Sequence, residues 1–70
     1  MEHGMELFIN GKAAHVPPGL TVLKLLEQRE LQAQEVVVER NFVLVLKDAF
    51  ATTFLEPGDR LEILHFVGGG

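Results

Sequence analysis

Cysteine, serine, tryptophan and tyrosine are all missing from these 70 residues. Without cysteine there is no disulfide framework and no Cys-rich zinc or iron–sulfur site. Without cysteine or serine, two of the commonest nucleophiles are gone as well. Long hydrophobic runs are missing too: the longest, Phe42 to Leu46, falls far short of the ~18 residues of a membrane span. The opening Met1-Glu2-His3-Gly4 is polar and acidic, unlike the basic-then-apolar start of a signal peptide. Positive charge is scarce. Six Lys and Arg stand against ten Asp and Glu, for a net charge of -4, and the basic residues are scattered. A nucleic-acid partner calls for a basic patch, so neither nucleic acid nor membrane is expected as a partner. The expectation is a small cytoplasmic domain whose side chains carry little chemistry of their own.

What is present is 47% hydrophobic and 23% charged, the composition of a folded chain. The length allows one domain and one thin core. With no covalent staple, burial barely exceeds the entropy of ordering at this size. A helix laid on one face of a sheet is the simplest two-layer solution. The chain reads that way. Met5 to Asn10 alternates, with Met5, Leu7 and Ile9 on one side and Glu6, Phe8 and Asn10 on the other, a strand period. Asn10-Gly11 is a strong hairpin signal, because both positions tolerate positive φ. Lys12 to Val16 is then the returning strand, stopped by Pro17-Pro18-Gly19.

Thr21 is a candidate N-cap for a helix running to about Glu30. Val22, Leu25, Leu26 and Arg29 share one face, flanked by Leu23, and Lys24 stands where a capping box has Glu. Leu31 is expected to plug the loop behind this helix. Val36 to Arg40 reads as a strand with Val36 and Val38 inward and Val37 and Glu39 outward. Arg40-Asn41-Phe42 is a tight turn before a short strand, Val43 to Leu46. Lys47 to Phe54 reads as an irregular turn or one helical turn, anchored by Ala49, Phe50 and Phe54. Glu56-Pro57-Gly58-Asp59 is a β-turn. Arg60 to Val67 is the last strand, with Leu61 and Ile63 on one side and Leu64 and Phe66 on the other. Three glycines follow. Periodicity therefore gives an α+β domain, one helix on a mixed sheet, over residues 5–67, with a short N-terminal extension (1–4) and a glycine tail (68–70).

Asp59-Arg60-Leu61-Glu62-Ile63, followed by Phe66-Val67-Gly68-Gly69-Gly70, resembles the ending of the ThiS-type sulfur carriers of thiamine biosynthesis. Leu7-Phe8-Ile9-Asn10-Gly11, Thr21-Val22, Leu25-Leu26 and Pro57-Gly58-Asp59 resemble the same family, so the likeness covers about Met5 to Gly70. The chain departs from the family at Asn41-Phe42, where an Asn-Gly type of turn is common, and at Phe50, where a Trp is frequent. The resemblance implies the ubiquitin-like β-grasp fold, with two parallel strands at the centre of the sheet and the helix crossing them. It also implies that Gly70 is the working residue. An adenylating enzyme would activate the Gly70 carboxylate with ATP, sulfur from a cysteine-desulfurase relay would displace AMP, and the resulting thiocarboxylate would pass sulfur to thiazole synthase. ATP and a divalent metal would belong to the activating enzyme, with no cofactor bound by this chain, which would be a shuttle and not an enzyme. Related carriers of molybdopterin synthesis, ubiquitin-like modifiers that form isopeptide bonds, and β-grasp interaction modules with inert tails are the alternatives.

A glycine tail suits this use physically. Three extended residues reach about 10 Å, at roughly 3.3–3.6 Å each. Lacking Cβ, Gly68 and Gly69 can thread a narrow channel into a partner's active site. An α-carboxyl, with a reference pKa near 3.3–3.7, is an anion at neutral pH and able to attack the α-phosphate of ATP. With Leu7, Leu61 and Ile63 turned toward the helix, Phe8, Val37, Leu64 and Phe66 are expected on the bare face as a partner-docking patch. Glu56, Asp59 and Glu62 are candidates for charge steering toward a basic rim, although a solvated surface is the better account of them. His3, His15 and His65 are isolated and lack the spacing of a metal site.

Overall fold

The computed structural model describes residues 4–66, so Met1 to His3, Val67 and the glycines 68–70 lie outside the described residues. Strand β1 is Met5–Ile9 and β2 is Lys12–Val16. They pair antiparallel from Met5 opposite Val16 to Ile9 opposite Lys12. The turn between them has Asn10 at φ 51 and Gly11 at φ 83, two successive left-handed residues whose twist matches that of the flanking strands. Gly4, the last residue of the short N-terminal extension, lies against β2; a Cβ there would fall 2.9 Å from the Val16 carbonyl oxygen.

Helix α1 spans Val22–Gln28, with the Thr21 hydroxyl accepting from the Lys24 N–H at 3.2 Å. It stops before Glu30. Leu31 N–H donates to the Leu26 carbonyl at 2.9 Å and Glu30 N–H to the Glu27 carbonyl at 3.0 Å, the paired bonds of a Schellman ending. Glu30 takes the left-handed position at φ 59, where glycine is the usual choice. The early stop leaves Arg29 exposed instead of on the apolar stripe, while Leu31 packs against the core as expected.

Strand β3 (Val36–Arg40) is introduced by a 3-10 turn at Ala33–Glu35, and β4 (Val43–Val45) ends one residue earlier than its apolar run. Leu46 instead opens a second 3-10 turn, Lys47–Ala49. Beyond it, Val22 N–H donates to Thr53 and Leu55 N–H to Leu20. Thr21 and Phe54 form an antiparallel bridge. This pairing along the start of α1 buries Phe50 and Leu55 but turns Phe54 outward, 59% exposed. Phe54 is therefore no anchor, and Leu55 takes the place expected for it.

Strand β5 is Arg60–His65. The sheet order is β2-β1-β5-β3-β4, with β1 and β5 parallel at the centre. The core lies between the sheet and α1: Leu7, Ile9, Val36, Val38, Leu61 and Ile63 meet Val22, Leu25 and Leu26. At about 25 cal/mol per Å² of apolar surface, this layer is what holds a helix too short to form alone.

Candidate functional site

The strand period that buries Leu61 and Ile63 sends Glu62 and Leu64 to the other side of the sheet. Register then brings their neighbours alongside. Val37 on β3 is opposite Leu64, Glu39 is opposite Glu62, and Glu39 is also opposite Leu44 on β4. Leu64 is 61% exposed, Leu44 54%, and Phe66 48%; Val37 is half-buried. Val37 and Leu64 thus form one apolar cluster at the end of β5 that leads into the tail, with Phe66 two residues further along.

Phe8 is set apart. It is level with Arg60, at the start of β5, four strand positions before Leu64, roughly 13 Å along the strand. The Arg60 guanidinium stands 5.9 Å from the Phe8 ring centroid, within cation–π reach, and Phe8 is half-buried. The four residues expected to form one docking patch therefore divide into a cluster near the tail and a half-buried ring away from it. Leu44, missed in the sequence, joins the bare face because the turn at Asn41-Phe42 sets its register. A run of five apolar residues has no alternation from which that register is legible.

At the far end of β5, Asp59 gathers three donors. Arg40 Nε lies 2.8 Å from one carboxylate oxygen and the Glu56 N–H 2.8 Å from the same oxygen, while Asn41 Nδ2 lies 3.0 Å from the other. Burial pushes the Asp59 carboxyl up, but the Glu56 N–H, the Asn41 amide and the Arg40 guanidinium together outweigh it. The net effect holds the group below its ordinary 3.8. Asn41 also accepts from the Arg60 N–H at 2.9 Å. Asp59 therefore ties the turn before β5 to the turn between β3 and β4, an internal role in place of charge steering. Glu56 and Glu62 are exposed.

His65 Nε2 lies 3.3 Å from Glu35 Oε1, and among the described residues no group of three or more His, Asp or Glu is placed to hold a metal ion. A groove of about 350 Å³ runs under β4, lined by Arg40, Val43, Leu44, Val45, Leu46, Ala49 and Thr53, at the sheet edge two strands from β5. Among the described residues no helix is long and apolar enough to cross a membrane. Gly68, Gly69 and Gly70, expected to carry the chemistry, lie outside the described residues.

Central parallel strands, one covering helix and one bare face define the ubiquitin-like β-grasp class. The ThiS family model matches residues 7–70, and the chain belongs to the ThiS family. It is similar to the thiamine biosynthesis protein ThiS of Geobacter metallireducens, whose crystal structure matches with a TM-score of 0.80 at 39% identity, covering 94% of this chain and 100% of that one. It is 40% identical over 50 residues to the sulfur carrier protein ThiS of Bacillus subtilis (strain 168), covering 71% of this chain and 76% of that protein. It is also 39% identical over 66 residues to the thiazole synthase of Paramagnetospirillum magneticum, covering 94% of this chain but spanning only 20% of that relative's length.

Proposed function

We propose that this chain is a sulfur carrier of thiamine biosynthesis whose working group is the Gly70 carboxylate. The observation that carries this reading is the family match, which spans residues 7–70 and so takes in the three glycines. In the first step a carboxylate oxygen attacks the α-phosphate of ATP, pyrophosphate leaves and an acyl-adenylate forms. In the second, the outer sulfur of a persulfide supplied by a cysteine-desulfurase relay attacks the acyl carbon and AMP leaves; a thiol then attacks the relay's sulfur in the resulting acyl disulfide, forming a disulfide with it and releasing the thiocarboxylate. ATP, its divalent metal and the general acids and bases belong to the activating enzyme, and thiazole synthase receives the sulfur. A cytoplasmic location goes with this use of ATP. The relatives named thiazole synthase and ThiS favour the thiamine pathway over molybdopterin synthesis.

The cluster of Val37, Leu64 and Phe66 supplies the docking surface next to the tail, while Gly68 and Gly69 thread into the partner. Leu64→Asp tests docking. Leu64 is largely exposed, so the fold stays intact, and a lost hot-spot contact of at least about 2 kcal/mol lowers kcat/KM for adenylation roughly thirtyfold. Unchanged adenylation would rule this cluster out. The carrier chemistry itself is tested by intact mass after incubation with ATP, Mg²⁺, the activating enzyme of thiamine synthesis and sulfide. Replacement of one oxygen by sulfur at the C-terminus is the expected product. Reaction only with the molybdopterin activating enzyme would transfer the reading to that pathway; lysine-linked conjugates in cells would make the chain a modifier.

A further inference from the structure

The parallel pairing of β1 with β5 ends early, and Asn10 extends it with a side chain. Phe8 N–H donates to Asp59 O at 2.9 Å and Asn10 N–H to Leu61 O at 2.8 Å. The next rung falls at Ile63, but the main chain has already turned away through Gly11. There the Asn10 amide stands in for a strand: Oδ1 accepts from the Ile63 N–H at 2.8 Å, and Nδ2 donates to the Ile63 carbonyl at 3.2 Å. On the opposite flank, Phe66 N–H donates to the Glu35 carbonyl at 3.0 Å. The end of β5 is thus held from both sides just before the tail.

We propose that Asn10 is a positioning residue for the carrier reaction: its amide fixes the direction in which β5 delivers the glycine tail to a partner's active site. This rests on the carrier reading. The two hydrogen bonds span 53 residues of sequence and are not needed to make the hairpin turn, which asks only for tolerance of φ 51. Glycine or aspartate meets that demand equally. The docking cluster is on β3 and β5 and does not include Asn10. Loss of the amide should therefore leave recognition intact and misdirect the reacting carboxylate, for which a displacement of about 1 Å lowers rates up to a hundredfold.

Asn10→Gly keeps the turn and removes both bonds; Asn10→Asp keeps the acceptor for Ile63 N–H and removes the donor. The expected result is a fall in adenylation kcat of about tenfold for Asn10→Gly, a smaller fall for Asn10→Asp, and KM for the carrier within about threefold of wild type. Amide exchange at Ile63 in the free protein should accelerate about tenfold or more in Asn10→Gly, with exchange at Leu7 and Val38 unchanged. Should Asn10→Gly not fold by circular dichroism, Asn10→Asp decides. In Asn10→Gly, equal kcat alongside lost Ile63 protection, or unchanged Ile63 protection, overturns the proposal; where only Asn10→Asp folds, a kcat equal to wild type overturns it. Wild-type chain that is not adenylated in the same assay, or gains no sulfur by intact mass, overturns the carrier reading, and the positioning role with it.

Discussion

Replacing Asp59 by Asn probes the most concentrated polar contact in the domain. The carboxylate accepts from Arg40, Asn41 and Glu56 and is itself 7% exposed, while Arg40 is 30% exposed. An amide at this position offers one acceptor oxygen and an NH₂ that faces donors. At least one donor loses its partner, and Arg40 loses its counter-charge. Breaking a fully buried pair costs about 3–5 kcal/mol; because Arg40 is partly solvated, the expected cost here is about 2–3 kcal/mol. That is a large share of the total, since roughly 0.05–0.15 kcal/mol per residue is typical of native domains. With neither Trp nor Tyr in the chain, unfolding is followed in urea by far-ultraviolet circular dichroism. The pH dependence provides a second reading. The folded-state carboxyl lies below its ordinary 3.8, so its contribution is fully present above that value and is lost as pH falls through the folded-state value. The stability gap between wild type and Asp59→Asn should accordingly be flat between about pH 5 and 7 and narrow below 3.8. A gap under about 0.5 kcal/mol, the scale of ordinary surface substitutions, or one that widens with acid, refutes the assignment of Asp59 as the tie between the two turns.

Two left-handed residues that are not glycine offer stabilising substitutions. Phe42 is at φ 71 and 77% exposed, so Phe42→Gly relieves about 1–2 kcal/mol of strain against roughly 0.5–1 kcal/mol of added backbone entropy. Glu30→Gly at φ 59 does the same at the helix end. Each should raise stability by up to about 1 kcal/mol, near 4–8 °C in Tm for a domain of this size; a lower Tm for Phe42→Gly would show that its ring makes a contact worth more than the strain. Glu62→Lys replaces the like-charge pairing with Glu39 by an attractive one and should stabilise by about 0.2–1 kcal/mol. Urea midpoints in low and in 1 M salt check this, because the gain should shrink where the screening length is about 3 Å. A gain unchanged by salt would assign the effect to strand propensity.

Much of the fold was legible because short strands with one buried face must alternate. β1, β2 and β3 have the residues that alternation and turn chemistry assign to them, and Thr21 caps α1 as its side chain suggests. The illegible parts share a cause. Arg29 has the right spacing for the core stripe, but the bonds from Glu30 and Leu31 end the helix before it. Phe54 has the right hydrophobicity for an anchor, but the bridge to Thr21 fixes its orientation outward. Both outcomes depend on hydrogen bonds whose competing partners are equally available to the sequence. The docking face shows the same division: Leu64 and Val37 follow from alternation, whereas the separation of Phe8 follows from the parallel register that sets it beside Arg60.

The residues alone, then, determined the elements, the helix-on-sheet layering and a likeness strong enough to point to the glycine tail as the working end. These depend on local periodicity, turn chemistry and motif, which are properties of neighbouring residues. Tertiary structure decided which apolar side chains share the bare face and which carboxylate is internal. It also brought Asn10 to Ile63, 53 residues away in sequence, where an amide takes the rung that a turning main chain cannot. Strand order and register set those relations, and they follow from the packing of all five strands at once.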